Sequence, residues 1–405
     1  MSNNFFAIIT QIQFVIARIE TNISSESVYD KKSLFLCFLF GLYYLCSMNK
    51  LKKVICGKLT TLLVLCSMFA IHSCSSDDDN NGSGNQKYTG VPLVIFDTDI
   101  GSSTDDLFAL RMLYHYEDEG RCKLLGIVVN REGEDYAALA DVMNTYFGYG
   151  SIPIGLERDG VKNPKVFIDY KNLYKHATDK GDPMFSRTVS DYSTLPDGWQ
   201  LYRQLLVSQP DHSVNICSVG FVSCLDQLLA SQPDNLSPLT GIELVRQKVK
   251  CLYLMAGVFT SSEEPDYNFL LASEFAKKFF ELWPNDVDIV FSPMEVGNQI
   301  EYKPETVISD IYWTDIHPIK QVYMKYDCNT GQKMWDPLTV IQAVEGDAMF
   351  SLSERGTVSL TPQLGIVFTP SATGNCRYQK PDSEAWVNAM LGKIRHVSYR
   401  VTKDT

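Results

Sequence analysis

Short apolar runs alternate with segments of helical periodicity from residue 93 to residue 291, and this alternation leaves the chain few folds to choose from. The runs at 93–96 (LVIF), 123–129 (KLLGIVV), 152–155, 214–219, 251–256 and 288–291 are too short for helices and mostly apolar, as strands buried on both faces are. Between them, helices are expected from 107 to about 116, at 135–147, near 199–207, at 222–230 and at 273–282. Alternation of this kind implies an α/β fold with a mostly parallel central sheet and helices on both faces. Neither a repeat nor a linker interrupts residues 91–405, so a single large domain is expected there. Sheets of this type bind ligands beyond the carboxyl ends of their strands.

The end of the first run is the most acidic of these places. Asp97, Asp99, Asp105 and Asp106 fall within ten residues, at a strand-to-helix turn that also holds Gly101. Anions gathered so closely repel one another unless something positive lies among them, and a hard divalent cation such as Ca²⁺ or Mg²⁺ takes carboxylate oxygens readily. Glycine permits the sharp turn, and Asp105 and Asp106 would occupy a first helical turn, where the helix dipole favours negative charge. One or two such residues would be ordinary caps; four point to a metal or substrate site. Other run ends carry Asn130, Val219 and Met255, the last followed by Asp266 and Asn268. Further along, Trp335-Asp336-Pro337 has proline suited to the first turn of a helix continuing through Val344. The stretch 157–197, rich in Lys, Asp, Pro and Tyr, reads as a long loop or insertion, a feature that often forms a lid.

The first ninety residues read differently. Met48 is followed by Lys50, Lys52, Lys53 and Lys58, then by an apolar run over 59–71 and by Ser73-Cys74. A basic start, a short apolar stretch and a small residue before the cut make a secretory signal at 48–74, too short for a membrane span. Its ending resembles the bacterial lipoprotein signal, with Cys74 as the lipidated first residue of the mature chain. The polar stretch SSDDDNNGSGN then serves as a tether over 75–90. Residues 1–47 are read as an extension ahead of the true start at Met48, because a signal normally stands first. An exported protein, anchored to the bacterial envelope by lipid alone, is the expectation.

Removing 1–74 takes away seven basic and three acidic side chains, leaving 29 Lys+Arg against 45 Asp+Glu. So acidic a domain is a poor ligand for nucleic acid. The six cysteines beyond Cys74 lack metal-ligand spacing, and several sit in strand-like runs as small core residues.

DTDIGSSTDD, at 97–106, resembles the signature of the nucleoside hydrolases, the inosine–uridine-preferring N-ribohydrolase family, and the later run ends follow in matching order. The resemblance implies one Ca²⁺ at the bottom of a ribose pocket. Asp99 matches the carboxylate that ligates the ion and activates the attacking water, Asp106 a bidentate ligand, Val219 a main-chain carbonyl ligand and Asp336 the distal carboxylate. Asp105, Asn130, Asp266 and Asn268 match groups that hold ribose hydroxyls. Met255 would lie against the sugar, and Asp97 would support the cluster. Trp335 stands where the family has a histidine thought to protonate the leaving base. The base would then leave by stacking on Trp335, by protonation from another group such as His176, or because it needs no acid.

Cleavage of an N-glycosidic bond passes through an oxocarbenium-like sugar, which a pocket of anions stabilises. The expected partner is therefore a small nucleoside or N-riboside, in purine or pyrimidine salvage, with a homo-oligomer allowed. The alternative is a non-catalytic lipoprotein that captures nucleosides in the same pocket. A phosphatase built on Asp97-Thr98-Asp99 is disfavoured by Gly101, which stands where that family has Thr or Val. An EF-hand fails because position 12, counted from Asp97, is Phe108.

Overall fold

A computed structural model describes residues 90–162, 168–326, 328 and 331–399. The expected extension, the signal, Cys74 and nearly all of the tether lie outside these residues. All described residues belong to a compact unit spanning Ser83–Thr405. Among them, no helix is long and apolar enough to cross a membrane.

The chain runs β1 (Leu93–Thr98), α1 (Asp105–Asp118), β2 (Lys123–Val129), α2 (Glu134–Tyr146), β3 (Ile154–Leu156), α3 (Gly198–Val207), β4 (Val214–Ser218), α4 (Ser223–Ala230), α5 (Gly241–Lys248) and β5 (Val249–Leu254). It continues through α6 (Tyr267–Leu271), α7 (Ser273–Leu282), β6 (Asp288–Phe291), α8 (Met294–Gly297), β7 (Glu301–Tyr302), α9 (Pro304–Asp310), α10 (Pro318–Lys325) and β8 (Gln332–Lys333). Last come α11 (Asp336–Glu345), β9 (Gly356–Leu360), β10 (Ile366–Pro370), β11 (Cys376–Tyr378) and α12 (Glu384–Tyr399).

Nine strands form one sheet in the order β10-β9-β11-β6-β5-β4-β1-β2-β3. Pairing is parallel from β3 across to β11, and only β9 runs antiparallel to its neighbours. Successive residues of β1 serve opposite cores: Val94 and Phe96 pack with Leu107 and Leu110 of α1, whereas Ile95 packs with Leu201 of α3 and Leu225 of α4. The period-two alternation of a strand explains why its apolar run is continuous. The mostly parallel sheet and its helices on both faces are those the sequence predicts.

Strand order places the functional crevice. From β1 the chain builds outward through β2 and β3, then returns to add β4, β5 and β6 on the other side. The crossovers that follow β1 and β4 therefore diverge, opening a cleft at the carboxyl ends of those strands. The register aligns Asp97 with Ser218 of β4 and with Val128 of β2, so the residues just beyond, Asp99, Val219 and Asn130, leave the sheet together.

Three expectations need correction. The described residues of the segment 157–197 hold two 3₁₀ turns, Lys171–Lys175 and Tyr192–Thr194, and pack onto the domain rather than stand free of it: Tyr170 is fully buried beneath the loop that follows β1. Helix α5 was not expected, although Thr240 and Glu243 form a reciprocal capping box at its start. The hairpin β9–β10 and strand β11 extend the sheet where no strand was read: Ile366–Phe368 is apolar but short and partly exposed, unlike the runs buried on both faces.

Candidate active site

Beyond Thr98 the chain leaves the sheet for six residues before α1 begins at Asp105. Gly101 has φ +120°, and a Cβ there would lie 2.7 Å from the Tyr136 ring, so both the backbone and the neighbour require glycine. The Tyr170 hydroxyl accepts from Gly101 N at 3.2 Å and donates to the Ser103 carbonyl. Thr104 Oγ1 and the Tyr323 hydroxyl are 2.7 Å apart. Three tyrosines thus hold the loop from below.

Asp97 lies under the pocket rather than in it. Its carboxylate accepts from the Tyr202 hydroxyl at 2.7 Å, from Ser218 Oγ at 3.1 Å and from Asn130 Nδ2, and burial pushes it up to about 7. The other end of the Asn130 amide accepts from Phe221 N at 3.0 Å. Expected on the ribose hydroxyls, Asn130 is instead fully buried with both ends of its amide engaged, outside the pocket lining. The cause is close approach: a Cβ on Gly220 would sit 2.5 Å from Asn130 Oδ1 and 2.5 Å from Asp99 N, so the turn after β4 closes over the amide.

The pocket itself is lined by Asp99, Asp105, Asp106 and Asp336, by Val219 and Met255 at the ends of β4 and β5, and by Asp266 and Asn268. Oxygens of Asp105, Asp106 and Asp336 lie within 4.8 Å of one another. Two ligands of a single Ca²⁺, each at roughly 2.3–2.6 Å, can be about that far apart. Asp105 occupies this triangle where the resemblance put Asp99, which is turned toward Ser102 Oγ at 3.4 Å. Asp105 also accepts, through Oδ2, from Trp335 N and Asp336 N at 3.2 Å each, joining the start of α1 to that of α11.

Burial and mutual repulsion push these carboxylates up. Burial, helped by the charge of Asp105, takes Asp99 from 3.8 to about 6 against the pull of Arg131. Asp106 and Asp336 rise well above the usual carboxylate range, first through burial and then through one another's charged neighbours. Arg131 donates to the Asp99 carbonyl at 3.2 Å and stacks over Tyr136 at 3.9 Å, and its buried Nε has no partner among the described residues. One guanidinium beside four buried acids leaves an excess of negative charge. The donor set is oxygen only, close and desolvated, and it fits a hard divalent cation.

On the far wall Asp266 caps α6 by accepting from Asn268 N at 2.9 Å and Phe269 N at 3.2 Å, and burial raises it to about 6. Asn268 Nδ2 donates to the carbonyls of Val219 and Met255, both at 3.4 Å. Trp335 is half-buried, and its Nε1 donates to Asn298 Oδ1 at 3.0 Å. His176 does not reach the pocket: it stacks on Tyr326 and shares a 2.8 Å hydrogen bond with that hydroxyl, while burial and Lys325 hold its pKa down.

Ser102, Tyr267 and Met294 also line the pocket and were not expected there. Met294 stands just past the end of β6, where the rule of strand carboxyl ends would have found it. Tyr267 was hidden between the two residues that drew attention.

No family profile matches the chain, and no curated protein sequence does. Solved structures match the fold. An inosine–uridine-preferring nucleoside hydrolase from Bacillus anthracis superposes with a TM-score of 0.55 at 17% identity, over 77% of this chain and 100% of that one. A purine-preferring ribonucleoside hydrolase from Gardnerella vaginalis does so with a TM-score of 0.53 at 12% identity, over 76% and 99%. The type III effector protein XopQ, solved in complex with adenosine diphosphate ribose, gives a TM-score of 0.53 at 13% identity, over 77% and 95%. At these identities the likeness is one of fold.

Proposed function

We propose that this protein hydrolyses the N-glycosidic bond of ribonucleosides or related N-ribosides with the help of a bound Ca²⁺. The observation that carries the proposal is the meeting of Asp105, Asp106 and Asp336 within 4.8 Å at the cleft between β1 and β4. Asp106 and Asp336, with Asp105 and the Val219 carbonyl beside them, would hold the ion. When bound, such a cation supplies Lewis acidity, acidifying water and ordering vicinal hydroxyls.

The chain's own groups do the rest. Asp99, at the pocket edge and raised to about 6, is poised near neutrality to accept the proton of a water attacking the anomeric carbon. As the bond to the base lengthens, positive charge grows on the sugar, and the surrounding carboxylates stabilise it without having to reorganise. Asp266 and Asn268, fixed by their hydrogen bonds at the start of α6, grip hydroxyls, while Met255 packs on the sugar.

Among the described residues no histidine lines the pocket, so the base departs with the bonding pair while stacked on Trp335 and takes its proton from solvent rather than from an imidazole. Nitrophenyl riboside, whose leaving group needs no acid, should accordingly turn over faster than inosine or uridine. Ribose release from these three substrates, assayed with Ca²⁺ and after chelation, tests the reading; no release from any of them by the metal-loaded protein would overturn it. The missing imidazole also favours a second reading, capture without cleavage, which recovery of unchanged nucleoside after long incubation would support.

We also propose that the protein is exported and held at the envelope by a lipid on Cys74, a reading supported by the basic start, the apolar run over 59–71 and the polar tether. Cys74→Ser should abolish incorporation of labelled palmitate; labelling that persists would refute it.

A further inference from the structure

We infer that Asn298 is a positioning residue that sets the plane of Trp335, so that the wall of the pocket formed by this indole recognises its ligand by stacking alone. The inference deepens the riboside reading above and rests on it for the identity of the ligand, but not for the geometry.

Asn298 reaches Trp335 through strand register. In the small ribbon β7–β8, Glu301 pairs with Lys333 and Tyr302 with Gln332. The ribbon is prolonged by Met334 N, which donates to the Ile300 carbonyl at 3.0 Å. Residues just before β7 therefore run beside those just after β8, and Asn298 meets Trp335. The preceding residue seats the ring: a Cβ on Gly297 would lie 2.2 Å from Trp335 Cδ1 and 2.7 Å from its Cα. Backbone tethering comes from the other side, where Trp335 N donates to Asp105.

Helix α8, which ends at Gly297, is itself fixed to the sugar side of the pocket. Met294 N donates to the Gly257 carbonyl at 2.9 Å, and Glu295 accepts from Phe259 N at 2.9 Å. The loop after β5, which leads to Asp266, thus shares a mount with the indole. An indole has one polar hydrogen, and Asn298 takes it. Left with its π face, Trp335 offers a flat aromatic leaving group contact area and quadrupole but no hydrogen bond. The wall should therefore accept flat aglycones of differing hydrogen-bond pattern.

The test compares Asn298→Leu, which removes the acceptor at similar size, with Asn298→Asp, which keeps it, in the full chain loaded with Ca²⁺. Trp335 emission and its quenching by acrylamide are read as differences from the Trp335→Phe protein. Asn298→Leu should increase quenching and raise KM for inosine and nitrophenyl riboside roughly three- to tenfold with kcat little changed, while Asn298→Asp stays near the parent on both counts. Unchanged quenching in Asn298→Leu, or an Asp variant as impaired as the Leu variant, would overturn the inference. Should no variant, nor the parent, release ribose, the riboside reading falls, while the quenching comparison still decides whether Asn298 holds the ring.

Discussion

Asp336→Asn is expected to fold, to melt higher than its parent when divalent cations are removed, and to release ribose roughly a thousandfold more slowly when they are present. The two effects have one origin. Asp336 is buried at the start of α11 among Asp99, Asp105 and Asp106, and its carboxyl is held well above the usual range by burial and by those charges. Asparagine keeps the shape and removes the charge, relieving the metal-free site while depriving a cation of a ligand.

The same imbalance fixes the sign of the pH dependence. Asp99 and Asp266 titrate at about 6 and Asp97 at about 7 in the folded chain, against 3.8 for an ordinary carboxyl. Between those values the folded state binds more protons than the unfolded one, so stability is highest near the lower limit and declines as pH rises through 6 and 7. Thermal melts in chelator from pH 5 to 8 should show Tm falling with pH, and saturating Ca²⁺ should flatten the slope. A parent whose melting ignores both pH and Ca²⁺, or an Asp336→Asn protein that keeps the parent's Ca²⁺ response and turnover, would sink the assignment of these carboxylates to a cation.

The second large effect concerns the sugar. The kcat/KM for 2′-deoxyinosine should fall at least about a thousandfold below that for inosine, because a missing hydroxyl leaves buried polar groups without a partner. Asp266 and Asn268 are both buried, and neither can turn to bulk water if the substrate fails to meet it. A pocket reading only size and apolar contact would discriminate by roughly 10–200-fold. A ratio of that smaller order, from parallel progress curves on the two nucleosides, would show that the hydroxyls are not gripped here.

Much of this was legible in the chain. The unit from β1 to α1 announced itself because local rules converge there: a run buried on both faces, a glycine the turn requires and acids in a first helical turn. Val219, Met255, Asp266 and Asn268 could be found because strand ends are local features, and one topological rule collects them on one edge. What escaped depends on register between distant segments. Asn130 is the next residue past β2, as expected, yet the turn at Gly220 rather than a ligand takes its amide. Asp105 looked like one more pocket acid; that it grips the backbone at Trp335 and Asp336, 230 and 231 residues away, follows only from the closed sheet. Tyr170 and Asn298 are likewise polar residues in unremarkable surroundings until tertiary contact brings them to the loop and the indole.

That grip by Asp105 ties together two ends of a stretch whose strands and helices are held by the sheet, leaving only the connections between them free to vary. The entropy of closing a loop grows only with the logarithm of its length, about 0.6 kcal/mol for each doubling. Material inserted into a connection between two such elements therefore adds little to what closure already costs, provided the element ends still meet. The long excursion between β3 and α3 is tolerated on those terms, and a lineage could lengthen or trim such loops, reshaping the mouth of the pocket, while its floor stays in place.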